Sequence, residues 1–259
     1  MDKIDVIILA NNKTEEHYNL TRVTIDSLRR TTKADLNIIL IESNPDAREE
    51  FIGCTIVKPN KIFNYGDFVN IGYQYCSGEW VMIINNDLEF TEGWWEEIKK
   101  VYDEDPSIKS FSPYEPNFHG AYYSEYFTDR ENLYPGYNVP SRIAGWCMIH
   151  RREILDRIGF FDPRFSFYFI DDDYGKRCEY NGVKHVMVKS SVVYHRTSQS
   201  HDTIPDMVTQ SAMDNSKKKF EEKWKFFDTG IEPKIKLVHL LLNPRIKKDI
   251  PQEMWDSRM

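Results

Sequence analysis

Three short apolar runs, each ending in a knot of polar residues, constrain the fold of this 259-residue chain more than any other feature. Val6-Ile7-Ile8-Leu9-Ala10 ends in Asn11-Asn12, residues 36–41 end in Glu42-Ser43-Asn44-Pro45, and Trp80-Val81-Met82-Ile83-Ile84 ends in Asn85-Asn86-Asp87. Runs that are apolar at nearly every position read as strands buried on both faces of a parallel sheet. The segments between them read as helices. Residues 14–31 put Leu20, Val23, Ser27 and Leu28 roughly on one face, and residues 66–77 are stopped by Gly78. A further short apolar segment at 54–57 precedes Pro59-Asn60. The alternation predicts an α/β fold with a mainly parallel sheet flanked by helices. Ligands of such sheets bind beyond the carboxyl ends of the strands, where all three polar knots fall.

Further along, residues 143–149 resemble another strand and 151–158 a short helix. The turn Gly159-Phe160-Phe161-Asp162-Pro163 follows, then a helix from Asp171-Asp172-Asp173 to Tyr180, and one or two strands over 183–194 that run into His195. Between them, residues 114–137 lose periodicity and gather Phe118, Tyr122, Tyr123, Tyr126, Phe127 and Tyr134. Such a stretch is either a binding loop or a surface excursion packed by its own rings. The boundary drawn at 204/205 separates the α/β domain, residues 1–204, from a helical extension, residues 205–259. Within the extension, the apolar residues 237–242 lie between basic flanks and suit a membrane surface, the chain's own domain or an oligomer contact.

Composition excludes several function classes. A net charge of -7 gives no strong nucleic-acid signature, since a phosphate-binding face is basic. Cys54, Cys76, Cys147 and Cys178 are scattered, without zinc or disulfide spacing. Neither a signal peptide nor a membrane-length apolar run is legible, so the expectation is a cytoplasmic protein, with the tail its one possible peripheral contact with a membrane. No G-x-G-x-x-G follows the first strand, and there is no P-loop.

Three places carry candidate chemistry. Asp87, after a buried strand, suits a hard cation, or caps its turn. In the acidic triplet, Asp173 and Arg177 are spaced as a surface pair worth about 0.3–0.5 kcal/mol. Asp171 reads as a helix N-cap or as a general base, and three adjacent acids call for a cation or a basic partner nearby. His195 is either structural or a metal ligand with Asp87 as its partner.

In order and spacing these segments resemble the family 2 glycosyltransferases of the GT-A fold, the rhamnosyltransferase-like branch in particular, from about residue 3 to 200. The motifs are the 6–12 opening, Asn64-Tyr65-Gly66-Asp67-Phe68-Val69-Asn70-Ile71-Gly72, Trp80 through Leu88, Gly145-Trp146-Cys147-Met148-Ile149, Gly159-Phe160-Phe161-Asp162, Asp171-Asp172-Asp173 with Arg177, and Val193-Tyr194-His195. The resemblance implies a GT-A type, Rossmann-like sheet and an inverting, metal-assisted transfer of sugar from a nucleotide-diphosphate sugar to an acceptor hydroxyl. It places Ala10, Asn11, Asn12 and Glu42 at the nucleoside and Asn70 at the nucleotide site. Asn85-Asn86-Asp87 falls at the Asp-x-Asp motif, Asp87 and His195 on Mn2+ or Mg2+, and Asp171 at the base. Trp146, Tyr122 and Tyr123 are the expected acceptor surface. Two positions depart from the pattern: Asn85 replaces the first acid of Asp-x-Asp, and Ile170 replaces the acid before the base, so Asp172 is the alternative to Asp171. The acceptor class (glycan, lipid-linked sugar, protein or modified nucleotide) and the oligomeric state stay open. The competing readings are a nucleotidyltransferase on a related sheet and a non-catalytic carbohydrate-binding scaffold.

Overall fold

The computed structural model describes residues 1–128, 130–196 and 206–225, the last of these by backbone alone over 206–209. In chain order the elements are β1 (Lys3–Ala10), α1 (Glu15–Thr31), β2 (Asp35–Glu42), β3 (Thr55–Val57), α2 (Tyr65–Tyr73), β4 (Trp80–Asn85), β5 (Leu88–Phe90) and α3 (Trp94–Glu104). There follow β6 (Ile108–Tyr114), α4 (Pro116–Tyr122), β7 (Leu133–Pro135), β8 (Cys147–Arg151), α5 (Leu155–Ile158), α6 (Ile170–Tyr180), β9 (Lys184–His195) and α7 (Asp206–Trp224).

Local chemistry accounts for where the first helices begin. Thr14 caps α1 by accepting from the His17 N–H at 3.3 Å, with Glu15 and Glu16 in the first turn and Arg29 and Arg30 in the last, each favourable to the helix dipole. Asn64 caps α2 in the same way, accepting from Asp67 N–H at 3.0 Å.

The sheet runs β3-β2-β1-β4-β8-β6-β9-β5, with β7 added to β9. Its first four strands are parallel, as their continuous apolar runs require. β8 is antiparallel to both β4 and β6, and β9 is parallel to β6. The carboxyl ends of β1, β2, β4, β6 and β9 therefore share one edge. Alternate residues of β1 feed two cores, because successive side chains of a strand point to opposite faces. Ile4, Val6 and Ile8 pack with Tyr18, Ile25 and Leu28 of α1 and with Trp94, Trp95 and Ile98 of α3. Ile7 and Leu9 pack with Phe68 and Val69 of α2, Leu155 of α5 and Tyr174 of α6.

The structure revises some sequence readings. The strand expected over 143–149 begins only at Cys147, because Ala144 donates to Ser112 Oγ at 2.9 Å and turns the chain back through a Cys147 N–H to Ala144 O bond, also 2.9 Å. Residues 114–137 hold α4, a 3-10 turn at Ser124–Tyr126 and β7, and so are not one irregular loop. Asp173 and Arg177 do not form a surface pair: both are buried, under α7. The apolar stretch 237–242 lies outside the described residues. Among the described residues no helix is long and apolar enough to cross a membrane.

Candidate active site

The shared strand edge gathers the site from residues far apart in sequence. Leu88 of β5 pairs with His195 of β9, and Arg196 N–H donates to Asp87 O at 2.9 Å. This ladder holds His195 Nε2 3.2 Å from Asp87 Oδ1, with Asn85 Nδ2 3.5 Å from the same nitrogen. Asn85 N–H donates to Trp146 O at 3.0 Å, and the Trp146 ring stacks on His195 with centroids 5.3 Å apart and planes at 25°. Asp87 is buried, yet Oδ1 receives no hydrogen bond. A desolvated carboxylate oxygen facing an imidazole nitrogen, with no donor between them, suits a divalent cation. Among the described residues no cluster of three His, Cys, Asp or Glu exists to cage an ion. A Mg2+-like ion needs only one or two protein ligands when phosphate oxygens complete its shell, so Asp87 and His195 fit one that is shared with a phosphate ligand.

On the other side stands the first turn of α6. Phe169 precedes it at φ 65°, the left-handed region that a bulky residue occupies only under constraint. Phe169, not Asp171, holds the cap position, and Asp171 Oδ1 accepts instead from Asp172 N–H at 3.2 Å. The Asp171 carboxylate lies against Gly145 so closely that any Cβ there would collide with Oδ2. Gly145 and Trp146 are thus touched by Asp171 and by His195 respectively, which brings the two halves of the site onto one dipeptide. Burial pushes the Asp171 carboxyl up, while hydrogen bonds from its own and the next backbone N–H oppose it. Asp172 is raised to about 7, by burial first and then by the charge of Asp171. The phenol of Tyr65, at the head of α2, is also pushed up, by burial and then by Asp171, and its hydroxyl has no partner. Trp146 Nε1 is a third buried polar atom without one. Sequence reasoning gave Tyr65 and Gly145 no role; only their placement beside Asp171 marks them.

The expected nucleoside residues are largely engaged with one another. The buried Glu42 carboxylate accepts from Asn12 N–H at 3.1 Å, Asn12 Nδ2 at 2.7 Å and Asn44 N–H at 2.7 Å. Thr21 Oγ1 donates to Asn12 Oδ1 at 2.8 Å and accepts from Asn86 Nδ2 at 2.8 Å. Ala10 is buried in the ladder opposite Glu42, and Asn11 alone of this group is exposed. Asn70 spends both ends of its amide on Phe161, donating to its carbonyl at 2.8 Å and accepting from its N–H at 2.9 Å. Tyr122 is 76% exposed, and with Tyr123 it leans on Phe118 at 5.8 and 5.4 Å. Buried His119 stacks on Tyr114 at 5.2 Å and reaches Trp146 at 6.4 Å, joining this aromatic segment to the site.

A mixed sheet whose carboxyl edge joins an Asn-Asn-Asp turn to a carboxylate-bearing helix has the architecture of the GT-A glycosyltransferases. The solved structure of GalNAc-T7 with UDP, GalNAc and Mn2+ superimposes with a TM-score of 0.59 at 15% identity, over 75% of this chain and 44% of that one. Residues 1–349 of S. aureus TarS in complex with UDP-GlcNAc give 0.58 at 14% identity, over 78% of this chain and 61% of that one. In sequence, the O-antigen biosynthesis protein RfbC of Myxococcus xanthus is 24% identical over 237 residues; the match takes in 79% of this chain and 18% of that protein's length. The model of glycosyl transferase family 2 matches residues 5–159, and the chain belongs to that family. Asn70, Asp87 and Trp146 fall inside the matched span, while Asp171 and His195 lie beyond it.

Proposed function

We propose that this chain moves a sugar from a nucleoside-diphosphate sugar to an acceptor hydroxyl by a single inverting displacement, with Mn2+ or Mg2+ as cofactor. The observation that carries this reading is the unsatisfied Asp87 Oδ1, 3.2 Å from His195 Nε2 and joined to Asp171 through Gly145 and Trp146. Asp87 and His195 would hold the ion, which when bound supplies positive charge to the departing diphosphate. Asp171 takes the acceptor hydroxyl's proton as that oxygen bonds to the anomeric carbon and the bond from that carbon to the diphosphate oxygen breaks. Asp172 is the neighbouring candidate for the same proton. Asn11 meets the nucleoside on a shelf braced from below by Asn12, Glu42 and Asn86, and Asn70 fixes the turn that closes the site. The rings of Trp146, Tyr122 and Tyr123 offer flat faces to the acceptor. The relatives with UDP or UDP-GlcNAc bound support the choice of donor class.

Thermal unfolding against UDP, GDP, dTDP, CDP and ADP, each with and without Mn2+, tests the reading. A nucleotide at about 100 times its Kd adds about 2.7 kcal/mol, or about 5–10 °C for a domain of this size. The expected result is a shift for one nucleotide that requires the metal and disappears in Asp87→Ala. A folded protein that responds to none of them would sink the proposal.

A further inference from the structure

α7 lies beyond the span matched by the family model, yet it contributes a charge that is almost wholly buried. Lys223 Nζ sits 2.8 Å from Asp162 Oδ2 and 2.6 Å from Asp173 Oδ1. It also lies over the rings of Phe165 and Trp224, with centroids at 5.4 and 5.5 Å. Trp224 Nε1 donates to Asp173 Oδ1 at 2.9 Å, and Phe220 packs on Phe169 at 5.4 Å. α7 therefore grips α6 on both sides of Asp171 and Asp172: at Phe169, the left-handed residue before the helix, and at Asp173, the third acid of its first turn. The turn at 158–164 is tied into the same network. Arg177 Nε lies 2.9 Å from Asp173 Oδ2 while NH1 donates to the carbonyls of Ile158, Gly159 and Phe160 at 3.0, 3.0 and 2.8 Å. Arg164 NH2 pairs with Asp162 at 2.5 Å.

We infer that Lys223 is a positioning residue for the transfer, fixing the first turn of α6 and with it the Asp171 carboxylate from a helix outside the matched family span. The inference rests on the reading of Asp171 as base. An apolar side chain would attach α7 to the domain at lower cost, because desolvating an ammonium and two carboxylates offsets most of their attraction. What the ionic arrangement adds is direction. Asp162 on the turn and Asp173 on the helix must both face one nitrogen, and this fixes the rotation of α6 that seats Asp171 against Gly145.

The test is Lys223→Met, of similar length and uncharged, followed by carbon NMR of the Asp carboxyls through a pH titration, with Asp171→Asn and Asp172→Asn giving the assignments. In the parent protein both carboxyls are expected to titrate above the ordinary range, because burial pushes each of them up. In Lys223→Met the first turn gains water, and both midpoints are expected to fall toward about 3.9. Loss of a nearby positive charge alone would move them up, so the direction separates positioning from simple electrostatics. Unchanged or raised midpoints in a folded variant overturn the inference. Where Lys223→Met does not fold, Trp224→Phe removes one donor to Asp173 while keeping a ring, and a smaller shift in the same direction is expected; no shift overturns the inference. With the donor selected by thermal shift, Lys223→Met should lower kcat about tenfold or more and leave donor KM within about twofold. Full turnover by Asp171→Asn would overturn the base assignment, while the titration still decides whether Lys223 orients the turn.

Discussion

Two buried acidic centres lie in this molecule, and they are treated in opposite ways. At the foot of α7, Asp162 and Asp173 meet Arg164, Arg177 and Lys223, so two carboxylates are surrounded by three cations and a Trp N–H. At the strand edge, Asp87 faces a single imidazole and keeps an oxygen without a donor. Buried polar groups in native proteins are nearly always satisfied from within. Asp173 Oδ2 and Arg177 NH2 also lack hydrogen-bond partners, yet Arg177 Nε lies 2.9 Å from that oxygen, so the centre under α7 is neutralised by the protein's own cations, whereas Asp87 has only an imidazole beside it and is the one open to a cation from outside. Hydrogen bonding also divides the other residues near the site. Asn12, Glu42 and Asn70 are satisfied by protein atoms, whereas Tyr65 and Trp146 are not.

The comparison breaks most visibly if a reserved acid proves dispensable. Asp171→Asn should cut turnover by about 10²–10⁴-fold and leave the nucleotide-induced thermal shift in place. Turnover within about tenfold of the parent would place Asp171 with the scaffold. The reverse pattern is expected for Asp173→Ala. It strands the charges of Lys223 and Arg177 and should cost about 3–5 kcal/mol, or about 6–20 °C in Tm by calorimetry without ligand. Asp87→Ala, by contrast, should leave the ligand-free Tm nearly unchanged and abolish the metal-dependent shift of about 2.7 kcal/mol. Equal losses of ligand-free stability in the two alanine variants would erase the distinction between the centres.

How much of this was readable follows from where each partner comes from. The parallel half of the sheet was legible because β1, β2 and β4 are apolar at almost every position, a local property. The spacing of Trp94, Trp95, Ile98 and Val101 also carries α3. β6 was hidden by Ser110 and Ser112, which look solvent-facing but are buried. Ser110 Oγ is shared between the Tyr174 hydroxyl and His185 Nδ1, each at 2.7 Å. Family motifs marked Asp87, Asp171 and His195, but no spacing along the chain reveals that Leu88 pairs with His195. The i,i+4 spacing of Asp173 and Arg177 looked like a surface pair, because burial under Lys223 and Trp224 is a tertiary fact. For the same reason sequence could place Asn12 and Glu42 at the strand ends and not show that they bind each other.

The last expected effect sharpens the contrast through pH. The folded-state value of Asp172 is about 7, against about 3.9 for an unfolded aspartate. Between these values the folded state binds more protons than the unfolded one, so this group's contribution is complete below about pH 4 and is lost as pH rises toward 7. Asp162 runs the other way. Although burial works against it, Arg164 and Lys223 hold its carboxyl well below the ordinary range, so its contribution is present above about pH 4 and is lost in acid. His119, His150 and His185, buried and lowered to about 4, also lose stability as pH falls below about 6.5, and they set the background slope. The prediction therefore lies in differences of Tm from the parent, measured by calorimetry from pH 3 to 8 without metal or nucleotide. Asp172→Asn should gain on the parent steadily between about pH 4 and 7 and keep a constant advantage above. Asp162→Asn should show a deficit above about pH 4 that shrinks in more acid solution. Parallel curves for Asp172→Asn and the parent would mean that its carboxyl is not held in the desolvated first turn of α6, and the open centre would lose one of its two candidate bases.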